Sequence, residues 1–366
     1  MKITRVEAFP IRAPRSHRFA AAQAVLTHSD FALVVIETDE GITGYGEVSS
    51  ALYYYRLGPS HAYDINAYLG PALIDQAPLM IPGLVERMDQ VLRGGRQAKS
   101  GVEMALWDIA GKAAGLPVYR LLGGKARSAV PLNWTVGFCE PEQAAVEAAR
   151  YVEQQGMRGV RLKIGRTGDV DARACAAVRK RLGPNFTIRV DANEYYQSSK
   201  EAIQAIRRIE EYDLQLVEQP LAAHDLAGHA EVRTAVSARI GLDESIQSPR
   251  DAIAAIQARA GDVFNVYVSE SGGLLRAQQI IAIAEAAGIP CLIGTMGELQ
   301  IASAAAAHLG VACANIPFTC DLVGPLRYDE SMICESLRIE AGLLYPPEAP
   351  GLGITPNWEV INRWRA

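Results

Sequence analysis

Lys163, Asp191, Glu218, Asp243 and Tyr267 each stand at the end of a short apolar run: GVRLKIG, TIRVDAN, LQLVEQP, IGLDES and VFNVYVS. The intervals between them are 28, 27, 25 and 24 residues. That is the length of one strand, one helix and two short loops, so the repeat predicts a β/α barrel. In such a barrel the C-terminal ends of parallel strands face one pocket. Three carboxylates and a lysine therefore converge on it.

Three carboxylates held together repel one another unless a cation neutralises them, and an all-oxygen set suits a hard divalent ion such as Mg²⁺. An acidic residue after a strand can also cap the next helix, and any one of the three could do only that. Three in phase favour a metal site of Asp191, Glu218 and Asp243. Glu244 and Asn193 lie beside them as supporting groups or helix caps, with Asn193 also a candidate substrate contact. Lys163 ends the run just before these ligands. A nearby cation, including the guanidinium of Arg161 two positions earlier on the same face, favours the neutral amine that a general base needs. A rim lysine can also simply reach out to solvent; its phase with the carboxylates makes Lys163 the expected base.

Eight apolar runs from PLNWTVG to ANIPF alternate with Ala-rich helical stretches such as PEQAAVEAARYVEQQG. They predict a barrel over residues 126–325. Residues 1–125 do not follow that period. ITRVEAFPI alternates like an edge strand, and FALVVIETDEGITGYGEV reads as a hairpin turning at Asp39-Glu40-Gly41. SGVEMALWDIAGKAAG is a helix expected to start after Ser100 and stop near Gly115. This is an α+β domain ahead of the barrel. Its polar or aromatic interruptions, from Arg15 to His28 and from Ser49 to His61, are candidate lids. Residues 326–366, with the Pro-rich YPPEAPGLGITPNW, are expected to return over the first domain.

Composition narrows the function. With 366 residues, 49% hydrophobic, the chain can bury a large core and is long for one domain. A net charge of −5 without a Lys/Arg block argues against nucleic acid as a partner. No run of apolar residues is long enough for a membrane span, and the six cysteines are scattered without a CxxC pair, so a cytoplasmic protein with reduced thiols is expected.

The stretch AKSGVEMALWDIAGKAAGLPVYRLLGG, then RLK at 161–163, DAN at 191, VEQP at 217 and DES at 243, stand in an order that resembles the mandelate racemase/muconate lactonizing enzyme family of the enolase superfamily over essentially the whole chain. The resemblance implies a capping domain on a modified TIM barrel, (β/α)7β, with Mg²⁺ on Asp191, Glu218 and Asp243 and Mn²⁺ as a substitute. It implies abstraction of a proton alpha to a carboxylate, giving a metal-stabilised enolate. It also implies a small carboxylate substrate and a homo-oligomer. DES, SGGL and GTMGE with Glu298 look like the muconate lactonizing branch.

Two departures from that branch bear on the reaction. Its second lysine stands in a context like FNIKISKSGGL, where this chain reads FNVYVSESGGL, so Tyr267 replaces the lysine. Arg161 replaces the first lysine of K-x-K and is a candidate substrate clamp. Around the expected pocket mouth stand Tyr53, Tyr54, Tyr55, Trp134, Tyr195 and Tyr196, as a wall against water or a cage for an amine. Of these, Tyr54 and Trp134 are candidate substrate contacts, with Glu298 and with Asp321, which is placed to meet an ammonium or hydroxyl group. A single base at Lys163 fits elimination (a dehydratase) or cycloisomerisation. The alternatives are a racemase or epimerase using Lys163 and Tyr267 on opposite faces and, more remotely, a non-catalytic binding protein.

Overall fold

The computed structural model describes residues 1–20, 25–49, 58–166 and 168–365. The chain opens with an antiparallel three-stranded sheet, β1 (Ile3–Ala20), β2 (Val25–Thr38) and β3 (Thr43–Ser49). The hairpin between β2 and β3 turns at the expected Asp-Glu-Gly, with Gly41 at φ 77°. Helix α1 (Arg96–Ala114) packs on this sheet. It begins after Gly95 rather than after Ser100, because the serine hydroxyl donates to Val268 O at 3.1 Å instead of capping a helix. Its end is as expected, at Gly115, whose φ of 67° suits a glycine. Val34, Ile36, Val102, Leu106 and Ile109 form part of a buried core between sheet and helix.

From residue 133 onward strands and helices alternate: β4 (Asn133–Val136), α2 (Pro141–Gln155), β5 (Gly159–Lys163), α3 (Gly168–Leu182), β6 (Thr187–Asp191), α4 (Ser199–Arg207), β7 (Leu216–Glu218), α5 (Leu226–Ala235), β8 (Arg239–Leu242), α6 (Pro249–Ala258), β9 (Val263–Val266), α7 (Leu274–Ala286), β10 (Cys291–Ile293) and α8 (Gln300–Ala312). The strands form one parallel sheet in the order β10-β9-β8-β7-β6-β5-β4. A short segment closes it. Asp321 N donates to Ile293 O at 2.9 Å on one side, while Asn133 N donates to Cys320 O at 2.9 Å on the other. The expected eighth strand is thus reduced to a bridge at Cys320, a few residues beyond ANIPF. The result is a (β/α)7β barrel with an N-terminal α+β cap.

Side chains alternate across each strand. Val160, Leu162, Ile188 and Val190 are buried in the core, and the residues between them, Arg161, Lys163, Arg189 and Asp191, bond across the lumen. A polar lumen inside an apolar shell follows from that period of two.

Two carboxylates join cap to barrel. Glu47 on β3 accepts from Leu299 N at 2.7 Å and Ala302 N at 3.0 Å at the start of α8. Glu103 on α1 accepts from Leu274 N and Leu275 N at 2.8 Å at the start of α7. Each satisfies helix N–H groups that the helix itself leaves orphaned. The tail returns to the cap, with Leu352 N donating to Asp108 Oδ1 at 2.8 Å and Arg365 bridging Ile11. No helix among the described residues is long and apolar enough to cross a membrane.

Candidate active site

Register places the site. Lys163 pairs with Asp191, Asp191 with Glu218, and Glu218 with Gly241, two residues before Asp243. Asp191, Glu218 and Asp243 are buried and each offers an oxygen within 4.8 Å of the others. Glu218 Oε1 accepts from Arg161 Nη1 at 2.6 Å and from Asn265 Nδ2 at 3.0 Å. Its Oε2 is buried and has no hydrogen-bond partner among the described residues. An orphaned carboxylate oxygen is costly to bury. An oxygen left free inside an all-oxygen cluster fits a hard divalent cation.

The electrostatics differ from ligand to ligand. Burial pushes the Asp191 carboxyl up, but Lys163 and Arg161 outweigh it and hold it below the usual range. Glu218 is raised by burial against the pull of Arg161. Asp243 is raised well above its ordinary value by burial and by Glu244 and Glu218 nearby. The protein's own cations thus serve one side of the cluster and leave Asp243 in want of positive charge.

Lys163 Nζ donates to Asp191 Oδ2 at 2.5 Å and also to Asn193 Oδ1. Asn193 Nδ2 donates in turn to Glu244 Oε1 at 2.9 Å. Both ends of the Asn193 amide are therefore used, one holding the lysine and one held by Glu244. This makes Asn193 a support of the lysine rather than a free substrate contact.

Across the lumen, Tyr267 OH donates to Asp243 Oδ2 at 3.1 Å. A Cβ at Gly294 on the neighbouring strand end would run into the phenol ring, so the glycine makes its room. Burial, then Asp243, raises the phenol well above its ordinary pKa. It is a neutral donor fixed in place.

Other expected residues sit differently. Arg161 Nη1 lies 2.6 Å from Glu218, 3.2 Å from Asp321 and 3.6 Å from Asp191, so it is engaged by protein carboxylates and not turned to clamp a substrate. Asp321 accepts from Arg189 Nη2 at 2.6 Å and Asn133 Nδ2 at 2.7 Å, and serves as counter-ion to Arg189 and Arg161 in the lumen. Trp134 turns the other way. Its Nε1 donates to Glu147 at 2.9 Å and its ring stacks on Tyr151, both on α2, because Asn133 and Thr135 take the inward phase. Glu298 folds into its own loop, accepting from Met296 N at 3.0 Å and from Thr295 Oγ1. Tyr195 is exposed and packs edge-on against the buried Tyr196. Tyr53, Tyr54 and Tyr55 lie outside the described residues. The sequence reading missed Arg189, Asn265 and Gln219. Arg189 and Asn265 had a signal, each standing two positions before a residue singled out for chemistry.

The sequence matches the enolase C-terminal domain-like family over residues 143–360 and the mandelate racemase/muconate lactonizing enzyme N-terminal domain over residues 4–123. The chain belongs to the mandelate racemase/muconate lactonizing enzyme family. It is an enzyme of the enolase superfamily. It is 32% identical to the N-succinyl-L-Arg/Lys racemase of Bacillus cereus over 99% of this chain and 97% of that protein. It is 34% identical to muconate cycloisomerase 1-2 of Acinetobacter lwoffii over 100% of this chain and 96% of the relative. Among solved structures it resembles the dipeptide epimerase of Enterococcus faecalis complexed with Mg and the dipeptide L-Leu-L-Tyr. That likeness has a TM-score of 0.92 at 33% identity, covering 97% of this chain and 100% of the other.

Proposed function

We propose that this enzyme removes the proton alpha to a small substrate carboxylate with Lys163 as its single base, followed by elimination or cycloisomerisation. The observation that carries this reading is the asymmetry of the lumen: a lysine amine at one side, and at the other a tyrosine whose hydroxyl is spent on Asp243. Asp191, Glu218 and Asp243 would hold Mg²⁺, with Mn²⁺ as a substitute. A divalent cation there supplies the positive charge that offsets the charge developing on the substrate carboxylate.

The remaining steps belong to the chain's own residues. Lys163 Nζ takes the alpha proton, and the C–H electron pair moves into the carboxylate-conjugated enolate. In an elimination the pair then returns to form the double bond as the β carbon–oxygen bond breaks. The lysine ammonium gives the departing oxygen its proton, so water leaves and the amine is restored. Asn193 and Asp191 orient the amine, and the Tyr267 ring walls the far face. We assign the chain to the cytoplasm. Self-association is supported by exposed apolar side chains on the cap: Tyr63, Tyr68, Leu79, Met80 and Val91.

A racemase or epimerase is the second reading, favoured by the likeness to the Bacillus cereus racemase over almost the whole chain. A panel of hydroxy acids, acid sugars and unsaturated diacids, incubated with enzyme and Mg²⁺ with and without chelator and followed by mass spectrometry, separates them. Chelator-sensitive loss of water or a rearranged skeleton supports the proposal. Products that differ only in configuration support the second reading.

A further inference from the structure

We propose that Gln219 is a positioning residue that ties together the ends of the three ligand-bearing strands and so sets the spacing of Asp191, Glu218 and Asp243 needed to bind a cation. The inference rests on the reading of those carboxylates as a cation site. Gln219 acts through the backbone of Asp243.

Gln219 follows Glu218 directly and is wholly buried. Its backbone reaches both neighbours of β7. Gln219 N donates to Gly241 O at 2.8 Å on β8, and Gln219 O accepts from Glu194 N at 2.9 Å in the turn after β6. Its side chain adds a third tie. Oε1 accepts from Asp243 N at 2.8 Å and from Ser245 N at 3.3 Å, holding the backbone of the third ligand. Nε2 donates to Ser245 Oγ at 2.8 Å and to Leu221 O at 3.0 Å, with His229 Nε2 at 3.4 Å. The amide orientation is fixed by this network, since the reverse would set an NH₂ against two backbone N–H groups.

Two further observations separate a tie from mere filling. Gln219 adopts φ 37°, a left-handed backbone that costs a side-chain-bearing residue about 1 kcal/mol or more. A glycine would relieve that cost but lose every side-chain bond, so the strain marks a position where the side chain is required. The second is charge. Glutamate would offer the same acceptor to Asp243 N, but would add a further negative charge at the cluster. Glutamine supplies the acceptor without the charge.

The test uses Q219N, which suits a left-handed backbone but is one methylene too short to reach Asp243 N. The control is H229Q, altering the helix side of the same network. Mg²⁺ affinity is measured by calorimetry, and amide hydrogen exchange is followed by mass spectrometry on the metal-free proteins. The expected result is a folded Q219N with Mg²⁺ binding weakened about 10–100-fold and faster exchange at Asp243 and Ser245. H229Q is expected to lower the melting temperature and leave Mg²⁺ affinity unchanged. A folded Q219N with native affinity and native exchange overturns the proposal, as does an equal loss of affinity in H229Q. Should Q219N not fold, Q219E decides through exchange: retained protection of Asp243 and Ser245 supports the tie, and its loss overturns it. A wild-type chain that takes no Mg²⁺ would instead sink the metal reading, leaving the exchange arm to judge the tie.

Discussion

The two sides of the barrel lumen carry side chains of opposite character at equivalent strand ends. At the end of β5, Lys163 is a flexible chain ending in an amine that donates to Asp191 and Asn193. Just beyond β9, Tyr267 is a rigid ring lodged in the space left by Gly294, with its one donor committed to Asp243. Period and register bring both to the same pocket, and in the proposed reading only the first moves a proton. The sidedness of the reaction would then rest on two side chains rather than on the fold.

Removing the active side should have the largest effect. K163A is expected to lower turnover by about 10²–10⁴-fold, the range of general acid–base catalysis, with circular dichroism and Mg²⁺ affinity unchanged. Retained activity would remove Lys163 as the base. Next comes the charge between the two sides. D243N takes away the negative charge of a proposed ligand, which is also the charge that accepts the Tyr267 hydroxyl, and calorimetry is expected to show Mg²⁺ affinity lowered at least tenfold. Changing the passive side should matter less. Y267F is expected to cost about 1–2 kcal/mol of stability in denaturant melts and to reduce turnover less than about tenfold. A loss equal to that of K163A would make the hydroxyl a participant in the reaction.

The smallest effect contrasts the lumen with the joint between cap and barrel. Asp191 is held below its ordinary value by lysine and arginine, whereas Glu47 and Glu103 are each pushed up to about 7 by burial, against the backbone N–H groups they accept. Between pH about 4.5 and about 7 the folded chain keeps protons on these two glutamates that the unfolded chain has released. Their contribution to stability is thus full below the lower value and is lost as pH rises through the higher one. Melting curves of wild type and of E47Q/E103Q, taken from pH 5 to pH 8, are expected to show a decline with pH that is smaller in the variant. Parallel pH profiles would remove these two groups as its cause.

What the sequence revealed followed from periodicity. Lys163, Asp191, Glu218 and Asp243 stand at the same phase of successive strands, and the structure brings them together. Trp134 stands one residue out of phase with the pocket, since Asn133 and Thr135 take the lumen. The partnership of Arg161 with Asp321 joins β5 to a closing segment far along the chain, a contact that no local pattern encodes. Ser100 looked like a helix start because serine caps helices, but a partner on the barrel claims its hydroxyl. The capping roles of Glu47 and Glu103 were hidden because their partners are backbone N–H groups, which have no residue signature.

The most direct test of one-sided proton chemistry is exchange in D₂O. Single enantiomers of alpha-substituted carboxylates that the enzyme turns over or binds would be incubated with the Mg²⁺ enzyme and examined by proton NMR and chiral chromatography. Deuterium at the alpha carbon with configuration retained, or an elimination or ring product, is expected, with no exchange in K163A. Deuterium appearing in the inverted enantiomer, and lost in Y267F, would contradict it and make Tyr267 the second acid–base group.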